Sequence, residues 1–308
     1  MLFSAIQILI FHLWVFVWQN NVIESFIKQT AYIGVDTFFF ISAYSLGKKE
    51  GKYDLRFLYN RFVNIYIKFI VFALVACIYA KWKFSYFIEV ISSINLFKHG
   101  GGAFLRFLPA LMLFYILFCI FKKGDRFNAK LTFLITIVVW ICVTVLINIF
   151  VLYRISIFWN RIPIFLFGYY IAKYKLFDKL NNKLKSIIGI IFISIGTVLI
   201  YNFCYISKLQ TPFRDAFYLV SIIEVIGIVL LLDLVPNNKI INILGSCTLE
   251  MYAIQMIFGY NFTNTMIKLV DSKLLINICT MLFVIILSVI VHYPLCWILE
   301  KLNNNSRN

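Results

Sequence analysis

The sequence predicts an all-α protein, a polytopic transmembrane helix bundle of about ten helices. Three observations predict it. Only 14% of the 308 residues are charged and 62% are hydrophobic, against about 25% and 45–50% in a soluble domain. So few charges cannot cover a globular surface with polar groups. Apolar runs long enough to cross a bilayer recur along the whole chain, and mean hydropathy is +0.90,. The basic residues gather in the short connections between those runs, where topology signals belong,.

Taken in order, apolar runs of about 17–22 residues place helices at 2–19, 31–47, 62–80, 103–121, 131–151, 155–173, 186–204, 216–234, 240–260 and 274–298. The first begins at the N-terminus and leads into the rest, with no separate signal peptide. The second closes on Lys48, Lys49, Lys52, Arg56 and Arg61, and the fourth on Lys122, Lys123, Arg126 and Lys130. The fifth and sixth are nearly continuous, parted only around Tyr153 and Arg154. Lys173, Lys175, Lys179, Lys183 and Lys185 follow the sixth. The ninth is interrupted by Gly245, Ser246, Thr248, Glu250 and Gln255. With Lys239, Lys301 and Arg307, the connections after the even helices carry most of the Lys and Arg. That side is expected to be cytoplasmic, with both termini on it. Neither a long linker nor a repeat divides the chain, so residues 1–300 read as one transmembrane domain and 301–308 as a short polar cytoplasmic tail.

A formal net charge of +16 in this distribution suits anionic lipid headgroups, and no nucleic acid is expected as a partner. The seven cysteines, Cys77, Cys119, Cys142, Cys204, Cys247, Cys279 and Cys296, lie in or beside apolar stretches. They form no CxxC and no cluster with histidine, so they read as small packed hydrophobes and no metal is expected. Walker A, GxSxG, HExxH and dinucleotide-binding glycine patterns are all missing,.

Ionisable groups in lipid are costly and tend to mark a site. His12, in ILIFHLWVFVW, lies about 15 Å from the cytoplasmic end at 1.5 Å per residue,. It is either a packing histidine or a base. Asp36 stands about two turns into the second helix,. If the first two helices are antiparallel neighbours, the two residues can approach, and a carboxylate beside an imidazole orients it for base catalysis. The plainer alternative is that Asp36 caps its helix. Arg61, Asn64 and Lys68 share one face of the third helix,, a stripe of donors suited to a phosphate-bearing ligand or to headgroups. Arg161 and Glu224 are embedded charges that each need a partner,. Lys98, His99 and Gly100 to Gly102 read as a turn, and His292 as structural.

Several segments, in order, resemble membrane-bound acyltransferase family 3, whose members acylate sugars and lipids of bacterial envelopes. Ile10 to His12 is similar to the first-helix segment that carries the family's catalytic histidine. Gly34-Val35-Asp36-Thr37-Phe38-Phe39-Phe40-Ile41-Ser42-Ala43-Tyr44 resembles the family's G-[VF]-D-x-F-F-x-I-S-G-[FY] signature and is the most specific match. Phe57 to Arg61 resembles an F-x-x-x-R stretch implicated in coenzyme A binding. Phe107 to Leu111 with Tyr115, Arg161 to Gly168, and Leu244 to Tyr252 resemble further landmarks. The chain departs from the pattern at Ala43, Asn64, Tyr66, Arg106 and Gln255, and Met1 stands where a basic residue is usual.

The resemblance implies an integral membrane O-acyltransferase of the bacterial inner membrane. It implies transfer of an acetyl group from acetyl-CoA to a hydroxyl of an envelope polysaccharide or its lipid-linked precursor. His12 and Asp36 would be catalytic, Arg61, Asn64 and Lys68 would bind the donor, and Ser42, Tyr44, Arg161 and Glu224 would serve the substrate or the frame. Two other classes fit the bare residues. One is a transporter or flippase of a lipid-linked glycan with His12, Asp36 and Glu224 as a proton relay; the other is a membrane scaffold.

Overall fold

The computed structural model describes residues 1–17, 27, 31, 33–49, 55–99, 104–147, 155–202, 217–236 and 238–305. Gly100 to Gly102, Tyr153, Arg154, Cys204 and Arg307 lie outside the described residues. The described residues are helices and their connections, with no strand among them. Apolar runs without water leave a backbone only its own carbonyls to bond, and helices satisfy every group internally.

The helices in chain order are α1 (Leu2–Val17), α2 (Gly34–Lys48), α3 (Leu55–Tyr79), α4 (Phe84–Ile91) and α5 (Ile94–His99). Then come α6 (Phe107–Ile147), α7 (Ser156–Trp159), α8 (Ile162–Lys173), α9 (Asn182–Tyr201) and α10 (Phe217–Leu232). The last are α11 (Lys239–Ser246), α12 (Thr248–Ile254), a π-helical turn at Gln255–Gly259, α13 (Tyr260–Ile267) and α14 (Lys273–Asn305).

Four of these are long and apolar enough to cross a membrane, lying within α3, α6, α9 and α14. A fifth span results if α11 and Thr248–Ile267, bent by 51°, are taken together. Ten spans are not reached on this criterion among the described residues. Among the described residues three further apolar helical stretches, Leu2–His12, Ile162–Lys173 and Val220–Leu232, are not counted. The fourth and fifth expected helices are the two segments of α6 and count once on this criterion, since its 41 residues are taken as one stretch. α6 breaks at Asn128, where the backbone turns extended (φ −158°, ψ 109°). The Asn128 side chain accepts from Leu131 N–H at 3.1 Å, capping the second segment as an N-cap residue does,.

The chain divides into two units. The first comprises 1–35, 67–83 and 236–308; the second comprises 36–66 and 84–235. In the first unit α1 packs on α11, α12, α13 and α14, and α12 packs on α14. Gly34 lies against α1 so closely that a Cβ there would stand 2.8 Å from Gln7 Cβ and 2.9 Å from Ser4 O and Ile8 N. Only glycine permits that approach. In the second unit α9 and α10 run along each other. Gly196 lets the Glu224 backbone come within reach, since a Cβ there would meet Glu224 Cβ at 2.4 Å. Small residues at such crossings are how helices pack when lipid removes the hydrophobic drive. Phe39, Phe114 and Phe165 form the aromatic centre of this unit, with Phe114 4.5 Å from Phe39 and 4.7 Å from Phe165.

Candidate functional site

Each unit holds a buried carboxylate with charged and polar partners. In the second unit it is Asp36, in the first turn of α2. Asp36 is fully buried, and Arg161 Nε lies 2.6 Å from its Oδ1. Ser221, on α10, donates its hydroxyl to Oδ2 at 3.0 Å. Arg161 precedes α8, with Pro163 in the first turn of that helix; the rigid proline fixes where the chain enters α8 and hence where Arg161 starts. Three chain segments distant in sequence thus converge on one carboxylate. An ion pair taken out of water persists only when geometry and extra hydrogen bonds offset desolvation, and Ser221 supplies one.

Glu224 follows Ser221 by three residues and so shares its face of α10. It is buried, and its Oε2 has no hydrogen-bond partner among the described residues. Ser42 is buried as well, with its hydroxyl oxygen unpartnered among the described residues. Tyr44 is buried among rings, stacked on Phe40 and 5.5 Å from Phe177, with Lys48 Nζ 4.6 Å from its centroid. Lys48 leads to Asp233, which it meets at 3.5 Å while Lys185 meets it at 2.6 Å. Burial alone would raise the Asp233 carboxyl, but the hydrogen bond from Lys185 and the charges of Lys48 and Lys185 outweigh it and hold the group below its ordinary value. Tyr44 thus belongs to the frame at this end of α2.

Arg61 lies on α3, half-buried, its guanidinium 5.5 Å from the Phe57 ring and 5.6 Å from the Tyr115 ring. No carboxylate pairs with it among the described residues. A planar guanidinium held between rings keeps its donors in a fixed fork, the arrangement that recognises phosphate. Asn64 is half-buried one turn further along the same helix. Nearby in chain order, Tyr66 donates its hydroxyl to Ile91 O at 2.7 Å and fixes the middle of α3.

In the first unit the carboxylate is Glu250, on α12. Glu250 is fully buried, with Lys68 Nζ 2.5 Å and His292 Nδ1 2.9 Å from the same Oε1. His292 Nε2 lies 3.2 Å from Ser246 Oγ. Lys68, which the sequence places in a phosphate-binding stripe, is therefore engaged inside the bundle, where its charge meets Glu250. His12 is half-buried on α1, edge-on to Phe11 with centroids 5.5 Å apart.

His12 and Asp36, joined in the sequence reading, fall in different units; Asp36 has its partners in Arg161 and Ser221. The partner that Arg161 required is Asp36. Sequence reasoning passed over Ser246, Glu250 and His292 as a group. The available signal was the spacing of His292 and Cys296, one turn apart on α14, with Ser246 and Glu250 on either side of the break between α11 and α12.

A family model described as an acyltransferase domain matches residues 2–297. No curated protein and no solved structure matches the chain.

Proposed function

The chain belongs to this acyltransferase family, whose model spans nearly all of it, and from that premise we propose that it moves an acetyl group from acetyl-CoA to a hydroxyl of a cell-envelope polysaccharide or of its lipid-linked precursor. It does so as a multi-pass protein of the bacterial plasma membrane, crossing ten times with both termini in the cytoplasm. The observation that carries the donor assignment is Arg61: a half-buried guanidinium set between Phe57 and Tyr115 with no carboxylate partner among the described residues. A charge in that setting calls for an anion, and the phosphates of coenzyme A supply one. Asn64, on the same face of α3, adds a neutral donor.

His12 takes the proton from the acceptor hydroxyl as that oxygen attacks the thioester carbonyl. General base catalysis of this kind contributes about 10² to 10⁴-fold. Asp36 is the orienting carboxylate of the family signature, and Arg161 and Ser221 hold it in one rotamer. Ser42 and Tyr44 belong to the wall of α2 beside it. No metal is needed, because the thioester is already an activated acyl group.

The test compares acetyl esters on surface glycans, by NMR or mass spectrometry, in a deletion strain carrying the wild-type chain or His12→Ala at equal membrane abundance. Esters present with wild type and lost with the variant are expected. Equal acetylation in the two strains would sink the assignment of His12.

A second reading has one observation in its favour. The buried, half-unpartnered Glu224 carboxylate suits a proton-coupled carrier of a lipid-linked glycan. That reading expects movement of substrate driven by a pH gradient and indifferent to acetyl-CoA.

A further inference from the structure

The Ser246–His292–Glu250 cluster lies within one unit and is not used by the mechanism above. We propose that Ser246 carries the acyl group as a covalent ester between donor and acceptor, with His292 as its base and Glu250 as the residue that orients the base. The proposal rests on the acyltransferase reading and adds an intermediate to it, so that the acceptor hydroxyl attacks the serine ester in place of the thioester.

Geometry supports each role. Glu250 Oε1 is 2.9 Å from His292 Nδ1, so an Nδ1–H donated to it leaves the Nε2 lone pair directed at Ser246 Oγ, 3.2 Å away. Nucleophile, base and orienting acid in hydrogen-bond sequence is the arrangement that activates a serine, and it is recognised by geometry and not by order in the chain. Exposure follows the same sequence: Ser246 is exposed, His292 half-buried and Glu250 fully buried. Lys68 contacts the same Glu250 oxygen from α3 and supplies its counter-charge.

Ser246 also stands where a substrate has room. It ends α11, at the 51° bend into α12, and a Cβ on the preceding Gly245 would meet nothing within 4 Å. Broken helices are tolerated at membrane depth where they line a polar cavity. At rest the Ser246 hydroxyl donates to Ile243 O at 2.7 Å, one of the carbonyls left over at a helix end. Rotation about Cβ–Oγ turns the same proton to His292 Nε2. Cys296 is the competing nucleophile. Its Sγ lies 3.3 Å from Nε2 and 3.8 Å from Nδ1, which puts it beside the ring and not on the axis of one nitrogen.

The step balances without another reactant. The Ser246 Oγ–H proton passes to His292 Nε2 as Oγ bonds the thioester carbonyl carbon. The carbon–sulfur bond breaks, and His292 returns the proton to the leaving thiolate, giving free thiol and acyl-Ser246. An acceptor hydroxyl then attacks the ester. Its oxygen–carbon bond forms, the bond to Oγ breaks, and a proton returns to Ser246.

The experiment incubates purified full-length protein in lipid nanodiscs with isotopically labelled acetyl-CoA and no acceptor, quenches in acid, and reads the labelled peptide by mass spectrometry. Thiol release is measured in parallel. One label on the peptide containing Ser246 is expected. It should be absent from Ser246→Ala, reduced at least tenfold in His292→Gln, and unchanged in Cys296→Ala. Ser246→Cys should restore it as a thioester that neutral hydroxylamine cleaves. An unlabelled wild-type protein, or label that moves to Cys296, overturns the proposal. Thiol release without label removes Ser246 but leaves the acyltransferase reading standing; neither label nor thiol release counts against both.

Discussion

Arg161 Nε lies 2.6 Å from Asp36 Oδ1, and both side chains are buried. This pair ties the start of α8 to the first turn of α2, and Ser221 ties α10 to the same carboxylate.

Removing one member should leave a bare charge in the interior. Arg161→Gln or Asp36→Asn alone should each destabilise the protein by about 3–5 kcal/mol. The double variant should lose less than the sum of the two. Thermal unfolding of the four proteins in one detergent closes the cycle; strict additivity would mean that the pair contributes no coupling.

Arg61→Ala should raise KM for acetyl-CoA by about 10- to 100-fold, the equivalent of one charge-assisted hydrogen bond of roughly 1.5–3 kcal/mol. A pantetheine thioester that lacks the nucleotide phosphates should be used equally well by wild type and variant. Equal losses with both donors would place Arg61 away from the phosphates.

Asp233 provides a pH signature. Its folded carboxyl is held below the ordinary value of 3.8 by Lys185 and Lys48 despite partial burial. A depressed carboxylate contributes stability that is fully present above its unfolded value and lost as pH falls through the folded one. Asp233→Asn should therefore be less stable than wild type at pH 7, with the gap closing below about pH 4. Melting curves at pH 7, 5 and 3 measure it, and a gap that stays constant would assign the loss to packing.

Gly34→Ala should cost about 1–3 kcal/mol by overpacking, because two of the three atoms its Cβ would meet, Ser4 O and Ile8 N, are backbone. A second-site Gln7→Ala change keeps the Gln7 Cβ and both backbone contacts in place and should recover none of the loss. Full recovery of the melting temperature in that double variant would show that α1 yields.

The parts legible in the sequence were those that depend on local chemistry. Apolar run length gave helices, and embedded charges gave Asp36, Arg161 and Glu224 as residues with unmet needs. Which charge answers which need is a property of packing. Arg161 and Asp36 lie on segments far apart in the chain, and no spacing rule relates them. His292 looked isolated for the same reason: Ser246 and Glu250 reach it from α11 and α12. Lys68 shares a helical face with Arg61, but periodicity cannot tell that Glu250 waits at that level. The break of α6 at Asn128 falls in the polar connection that the apolar runs leave between the fourth and fifth expected helices.

The placement of Asp36 in the first turn of α2 has an energetic asymmetry built into it. Unsatisfied peptide N–H groups at a helix start sum to roughly half a positive charge, and away from water nothing dilutes that field. The carboxylate is therefore compensated twice, by a guanidinium and by the end of its own helix, whereas Arg161 gains nothing from that end. Deleting the anion should harm the fold more than deleting the cation.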